Sequence, residues 1–131
     1  MCLSASGIVG DDYCRQAERL DIDHRLAVYG TLAPRRCNHH MLKGLTGRWR
    51  KAVVRGVLLP EGCAATEGYP AFFPDEEAPD VEVMLFESTD LPRHWARLDA
   101  FEGPGYRRTA IIARADGIGL SAWIYGAASE P

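Results

Sequence analysis

The side chain best placed to do chemistry is a carboxylate standing where a helix calls for an apolar residue. In Leu91-Pro92-Arg93-His94-Trp95-Ala96-Arg97-Leu98-Asp99-Ala100-Phe101-Glu102, residues Leu91, Trp95 and Leu98 recur at i, i+4 and i+7, the spacing of a helix face turned to a core. The next member of that stripe, at i+11, is Glu102. Burial disfavours the charged form of an acid, the last turn of a helix presents unpaired carbonyls, and Asp99 one turn earlier adds like charge. All three raise the proton affinity of Glu102, which suits a group that accepts a proton and later returns it near neutral pH. The same spacing is compatible with a helix that ends at Ala100 or Phe101 and leaves Glu102 in water.

A second constellation is Val28-Tyr29-Gly30-Thr31-Leu32, where a strand meets a glycine turn. Successive backbone N–H groups in such a turn make a concavity for a carboxylate or a developing oxyanion, and Gly30 has no side chain to block the approach. A glycine after a strand is also an ordinary turn signal.

Other groupings carry less. Cys37, His39 and His40 are compact, but they have no second ligand cluster at matching spacing, and helical neighbours point about 100° apart; we expect no metal. Gly117-Ile118-Gly119 is a loose dinucleotide fingerprint with too little chain after it for the required helix. Ser88, His94 and Asp99 lack a nucleophile-elbow pattern. Trp95 and Trp123 read as core residues, and Arg35, Arg36 and Lys43 as a solvated face.

The elements that must position these groups are mostly strands. Leu26–Tyr29, Ala52–Leu59, Val81–Phe86, Arg108–Ala113 and Ser121–Tyr125 each read as a strand. A helix opens near Pro34 and runs to about Leu42, stopped by Gly44 and Gly47. The helix of the acidic stripe is capped by Thr89 or Asp90, tolerates Pro92 in its first turn, and is forbidden to continue by Gly103-Pro104-Gly105. Between Leu59 and Val81 lies a connection rich in Gly, Pro and acid, long enough to be a functional loop. Residues 1–24 differ in composition and are treated as an appendage, with a short helix from Tyr13 to Leu20 that Asp11 or Asp12 caps; residues 25–131 form the domain. Strands that follow one another, with few helices between, favour an α+β mixed sheet or small barrel over a doubly wound parallel sheet.

The chain has 131 residues, 47% hydrophobic and 25% charged, with 15 basic and 18 acidic side chains. That size closes one core and leaves no room for a second domain. A net charge of −3 gives no footprint for a phosphate backbone, so nucleic acid is excluded as an expected partner. No apolar stretch approaches the roughly 18 residues that span a bilayer. The N-terminus has no basic flank and runs into Asp11-Asp12, unlike a signal peptide. Cys2, Cys14, Cys37 and Cys63 are scattered and read as free thiols of a cytoplasmic protein.

Taken in order, Val28-Tyr29-Gly30-Thr31-Leu32, Gly68-Tyr69-Pro70, Leu98-Asp99-Ala100-Phe101-Glu102-Gly103 with Tyr106-Arg107-Arg108, and Ala122-Trp123-Ile124-Tyr125 resemble the γ-glutamylcyclotransferase-like family over about residues 26–126. The likeness is closer to its short members, such as γ-glutamylamine cyclotransferases and the butirosin-pathway enzyme. The resemblance implies a small mixed β-barrel with flanking helices. It implies Glu102 as the catalytic acid/base, Tyr29, Gly30, Thr31 and Leu32 as the turn that holds the γ-glutamyl group, and Tyr106 and Tyr125 as cavity-lining residues. The implied reaction is intramolecular aminolysis of a small γ-glutamyl amine or peptide, in which the α-amine attacks the γ-carbonyl, 5-oxoproline forms and an amine departs, with no metal or organic cofactor. The turn grips the glutamyl moiety by its α-carboxylate or by its carbonyl oxygen. Two departures bear on the leaving-group side: Val81-Glu82-Val83-Met84 lacks the family's usual glycine, and Ala33-Pro34-Arg35-Arg36 replaces a basic-glycine pair. The rival readings are a non-catalytic binder of the same fold, and hydrolysis of the γ-glutamyl bond by water.

Overall fold

The structure, a computed structural model, describes residues 21–29, 40–63 and 66–128. The expected helix at Tyr13–Leu20, the glycine turn at residues 30–32 and most of the expected helix from Pro34 lie outside them. Of that last helix, the described part is α1, His40–Lys43, followed by Gly44 as the stop signals require.

Six strands follow: β1 (Arg25–Val28), β2 (Arg48–Leu59), β3 (Ala71–Pro74), β4 (Asp80–Glu87), β5 (Tyr106–Ala115) and β6 (Ile118–Ala127). Five of them close on one another in the order β2-β4-β1-β6-β5, and a bridge from β5 back to β2 at Arg114 and Val53 completes the barrel. The β1–β6 pair is parallel, with Leu26 beside Trp123 and Ala27 beside Ile124, whereas the other pairs are antiparallel. This is the small mixed barrel expected from the strand pattern. The sixth strand was not expected: Ala71-Phe72-Phe73-Pro74, inside what reads as a loop, pairs with Gly56–Leu59 of β2. A proline before it, another as its last residue and a length of four hide it, because period-two alternation needs a longer run to show.

Small side chains set the barrel's width. Ala27, Ala52, Ala113, Ala115 and Ala122 share the interior with Val54, Val83, Leu85, Phe72 and Ile124, so the inside is a packed core with no open lumen. One end of the interior is polar. There the buried Glu87 lies within 3.3 Å of Arg25 and 3.1 Å of both Arg48 and Arg50. The β5–β6 hairpin turns at Asp116-Gly117, both at positive φ, a two-residue turn matched to strand twist. The glycine-rich segment that imitates a dinucleotide fingerprint is therefore hairpin.

The second cluster lies on the barrel's outer wall, where Leu26, Val28, Phe86 and Tyr125 meet Leu42, Leu91, Trp95 and Leu98. The stripe at i, i+4 and i+7 is thus buried, with Leu91 and Leu98 at 0% exposure. Its backbone differs from the expected single helix. Leu91–Arg93 is a 3-10 turn, and α2 proper runs from Trp95 to Glu102. Asp90 does not cap it; its carboxylate instead accepts from the Thr46 N–H at 2.7 Å and from Arg93 at 2.6 Å. At the other end Gly103, at φ +81, donates its N–H to the Asp99 carbonyl at 3.1 Å, so Glu102 is the last helical residue.

Candidate functional site

Chain geometry gathers four of the expected residues at one end of the barrel. Tyr29 directly follows β1, and the parallel register with β6 carries Tyr125 to the same level. Tyr106 begins β5, just past the Gly103-Pro104-Gly105 turn that ends α2 at Glu102. Gly30, Thr31 and Leu32 lie outside the described residues. The ring of Tyr29 packs on Phe72 of the unexpected strand, centroids 5.7 Å apart.

Glu102 is partly buried, and burial pushes its carboxyl up to about 7. Of the three contributions expected from sequence, burial is the one that raises it. Asp99 does not repel it, because its charge is engaged elsewhere. Its two oxygens accept from Arg108 at 3.0 and 3.3 Å, and one of them also accepts from the Tyr125 hydroxyl at 2.6 Å. Burial pushes Asp99 up, but the hydrogen bonds from Arg108 and Tyr125 outweigh it and hold the carboxyl below the usual carboxylate range. Two acids one helical turn apart therefore have opposite proton affinities, the arrangement that separates a proton carrier from a fixed charge.

The three phenols surround this acid electrostatically. Burial raises each of them, Tyr106 to about 12 and Tyr29 and Tyr125 further, and the nearby Glu102 charge adds to the rise in all three. Each therefore stays protonated at neutral pH, and each gives its proton to the protein. Tyr29 donates to the Tyr125 carbonyl at 2.5 Å, Tyr106 to the Pro70 carbonyl at 2.6 Å, and Tyr125 to Asp99.

The Pro70 acceptor is set by a tight loop. Thr66, buried, accepts from the Cys63 N–H at 3.0 Å and donates to the Tyr69 carbonyl at 2.8 Å. Glu67 and Gly68 turn at positive φ, and so does Gly62, where a Cβ would lie 1.9 Å from the Tyr69 carbonyl oxygen.

Sequence reasoning missed the supports. Arg108 lies between two indoles, 4.6 Å from the Trp95 ring and 4.7 Å from that of Trp123. Both indole N–H groups reach Asp23, Trp95 donating to its carbonyl at 3.0 Å and Trp123 to its carboxylate at 2.8 Å. The tryptophans thus serve as core and also as a clamp for a cation. Asp23 falls before the domain boundary drawn at residue 25, yet it ties α2 to β6. The only hint in the sequence is Tyr106-Arg107-Arg108 following the acidic helix.

The remaining groupings lead elsewhere. Ser88 donates to the Thr46 carbonyl and His94 contacts Arg97, so with Asp99 on Arg108 no triad assembles. Among the described residues no three His, Cys, Asp or Glu side chains converge as metal ligands; Cys37 and His39 are outside them. A groove of about 570 Å³ lies between β2 and β5, lined by Val53, Arg55, Asp80, Ile112 and Arg114 among others. Neither Glu102 nor any of the tyrosines lines it. Among the described residues no helix is long and apolar enough to cross a membrane.

Comparison with known proteins bears on this arrangement. The family described as gamma-glutamyl cyclotransferase, AIG2-like, matches residues 26–131. Among solved structures, YkqA from Bacillus subtilis is 26% identical with a TM-score of 0.61, covering 79% of this chain and 35% of its own. This protein thus spans about a third of the length of YkqA. PH0828 from Pyrococcus horikoshii (22% identity, TM-score 0.59) and an AIG2-like protein of Mus musculus (21%, 0.61) each cover 82% of this chain and 80% of their own, and share its fold. No curated protein matches the sequence at a significant level. With most of its length matched and its barrel shared with these structures, the chain belongs to the gamma-glutamyl cyclotransferase, AIG2-like family.

Proposed function

We propose that the protein is a γ-glutamyl cyclotransferase, releasing 5-oxoproline and a free amine from a small γ-glutamyl amine or peptide, with Glu102 as its acid/base. The observation that carries this reading is a partly buried carboxyl on the last residue of a helix, pushed up to about 7 by burial, whose charge acts on three phenols gathered at the same end of the barrel. In the reaction the α-ammonium gives one proton to the Glu102 carboxylate. The freed amine attacks the γ-carbonyl carbon, a carbon–nitrogen bond closes the five-membered lactam, and the bond to the outgoing nitrogen breaks. Glu102 gives its proton to the outgoing nitrogen and takes up the one shed by the ring nitrogen; the released amine then accepts that second proton and leaves as an ammonium ion, which restores the Glu102 carboxylate.

Nucleophile and electrophile belong to one molecule, so the protein's main tasks are to hold the chain folded and to move the proton. Backbone N–H groups of Gly30, Thr31 and Leu32 would grip the glutamyl moiety, and Tyr29, Tyr106 and Tyr125 would line its cavity. No step calls for a metal or an organic cofactor.

The test is a panel of γ-glutamyl amines, γ-glutamyl amino acids and glutathione, with products identified by mass. Release of 5-oxoproline by the wild type and its loss in Glu102→Gln are the expected results. Release of free glutamate instead would indicate hydrolysis, and no turnover of any compound would indicate a binding protein.

A further inference from the structure

A phenol has one proton to give and lone pairs to receive with. At Tyr125 that proton is committed: the hydroxyl donates to Asp99 Oδ1 at 2.6 Å, and the ring is buried at 5% exposure, so it cannot swing away. Asp99 is itself fixed, since Arg108 grips both its oxygens, and the guanidinium lies over the rings of both Trp95 and Trp123. Planar stacking and a two-pronged carboxylate contact are properties of arginine that lysine lacks. The chain of contacts from the indoles through Arg108 and Asp99 therefore fixes the direction of one O–H bond. With that proton committed, the Tyr125 oxygen, which the Glu102 charge reaches electrostatically, has lone pairs to offer a ligand.

The other two phenols lead to the same polarity. Tyr29 and Tyr106 donate to the carbonyls of Tyr125 and Pro70, which can only accept. None of the three hydroxyls has a proton left for a ligand beside Glu102. A carboxylate facing these three hydroxyls would meet their lone pairs and be repelled, whereas a group carrying several N–H bonds and a positive charge would be satisfied.

We propose that Tyr125, oriented as an acceptor by Asp99 and Arg108, binds the substrate's α-ammonium beside Glu102, and that the α-carboxylate is bound elsewhere. The assignment of the ammonium to a γ-glutamyl substrate rests on the function proposed above; the preference for a cationic N–H donor rests on the hydrogen bonds. Tyr125 is then a binding residue, and Asp99 and Arg108 are positioning residues that act through it. The ammonium sits where Glu102 takes its proton.

Two unreactive probes test this by calorimetry. One is 2-aminooctanoate, which has the length of a γ-glutamyl ethylamide with two methylenes in place of the amide. The other is octanoate, the same chain without the amine. The wild type is expected to bind the amine-bearing probe at least about tenfold more tightly, as a charge-assisted hydrogen bond allows. Tyr125→Phe should remove most of that preference and leave octanoate binding unchanged. Asp99→Leu, which frees the Tyr125 proton to turn toward Glu102, should do the same although Tyr125 is intact. Equal binding of the probes by the wild type, binding of neither, or an equal loss for both in Tyr125→Phe would overturn the proposal. Production of 5-oxoproline from γ-glutamyl ethylamide is followed in parallel. Preference for the amine without turnover would sink the cyclotransferase reading and leave the ammonium site standing; turnover without preference would do the reverse.

Discussion

Replacing Glu102 with glutamine keeps the shape of the side chain and removes its titration, which makes the cost of a buried acid measurable. In the folded protein the carboxyl titrates at about 7, against 4.5 for the same group in water. Between those two values the folded state holds a proton that the unfolded chain has already lost, so stability falls as pH rises through this window. Above 7 the penalty is complete. A shift of that size corresponds to about 3 kcal/mol at pH 8 and less than about 1 kcal/mol at pH 5. For a chain of this size the higher figure shifts Tm by about 10 °C. Thermal unfolding of wild type and Glu102→Gln should therefore show the variant gaining on the wild type by roughly 2 kcal/mol between pH 5 and pH 8. The amide has its own hydrogen-bonding needs in the site, which add a constant offset, so the test is the change with pH. Other acids titrate in both proteins and cancel in the subtraction. A difference that stays flat from pH 5 to 8, or that moves the other way, would refute the claim that Glu102 is held in its protonated form by burial.

The same group sets the rate. With Glu102 as the proton acceptor, kcat/KM for a γ-glutamyl amine should rise with pH through a midpoint near 7 and lose that limb in Glu102→Gln; a limb that persists in the variant assigns it to another group. Arg108→Ala removes two stacked faces and the partner of Asp99, and should lower stability by about 2 kcal/mol in a denaturant titration. Gly62→Ala forces a left-handed backbone on a residue with a side chain and drives its Cβ into the Tyr69 carbonyl. It should cost at least about 1 kcal/mol and, by displacing Pro70 from Tyr106, raise KM; unchanged KM would show that this loop does not position Tyr106.

What the sequence reveals about this site, and what it hides, follows from which forces are local. The stripe Leu91-Trp95-Leu98 points to Glu102 because helical periodicity is a property of consecutive residues, and it survives even though Leu91–Arg93 winds as a 3-10 turn. The five barrel strands are legible for the same reason, since runs such as Val81–Phe86 and Ser121–Tyr125 are long and rich in β-formers. Ala71–Pro74 is not, because it is short and its pairing lies with a distant segment, Gly56–Leu59, where the missing side chain of Gly56 admits the Phe72 ring. The clamp around Arg108 is illegible in principle. It needs Asp23, Trp95 and Trp123 to meet from three separate segments, and none of those residues alone predicts it.

Asp99 and Glu102 show how far local reading extends. From spacing they look alike, two acids on the final turns of one helix, and their mutual repulsion is a reasonable expectation. The fold divides them. Asp99 faces β5 and β6 and receives Arg108 and the Tyr125 hydroxyl, while Glu102 is governed by burial and has no cation against it among the described residues. A guanidinium free to reach Glu102 would stabilise its charge and pull its proton affinity down, away from the range in which it can both accept and return a proton. Trp95 and Trp123 prevent this by holding Arg108 on Asp99. The clamp therefore has two effects on the site at once: it draws the Tyr125 proton onto Asp99, and it keeps its own cation off the last carboxyl of the helix, which burial pushes up to about 7.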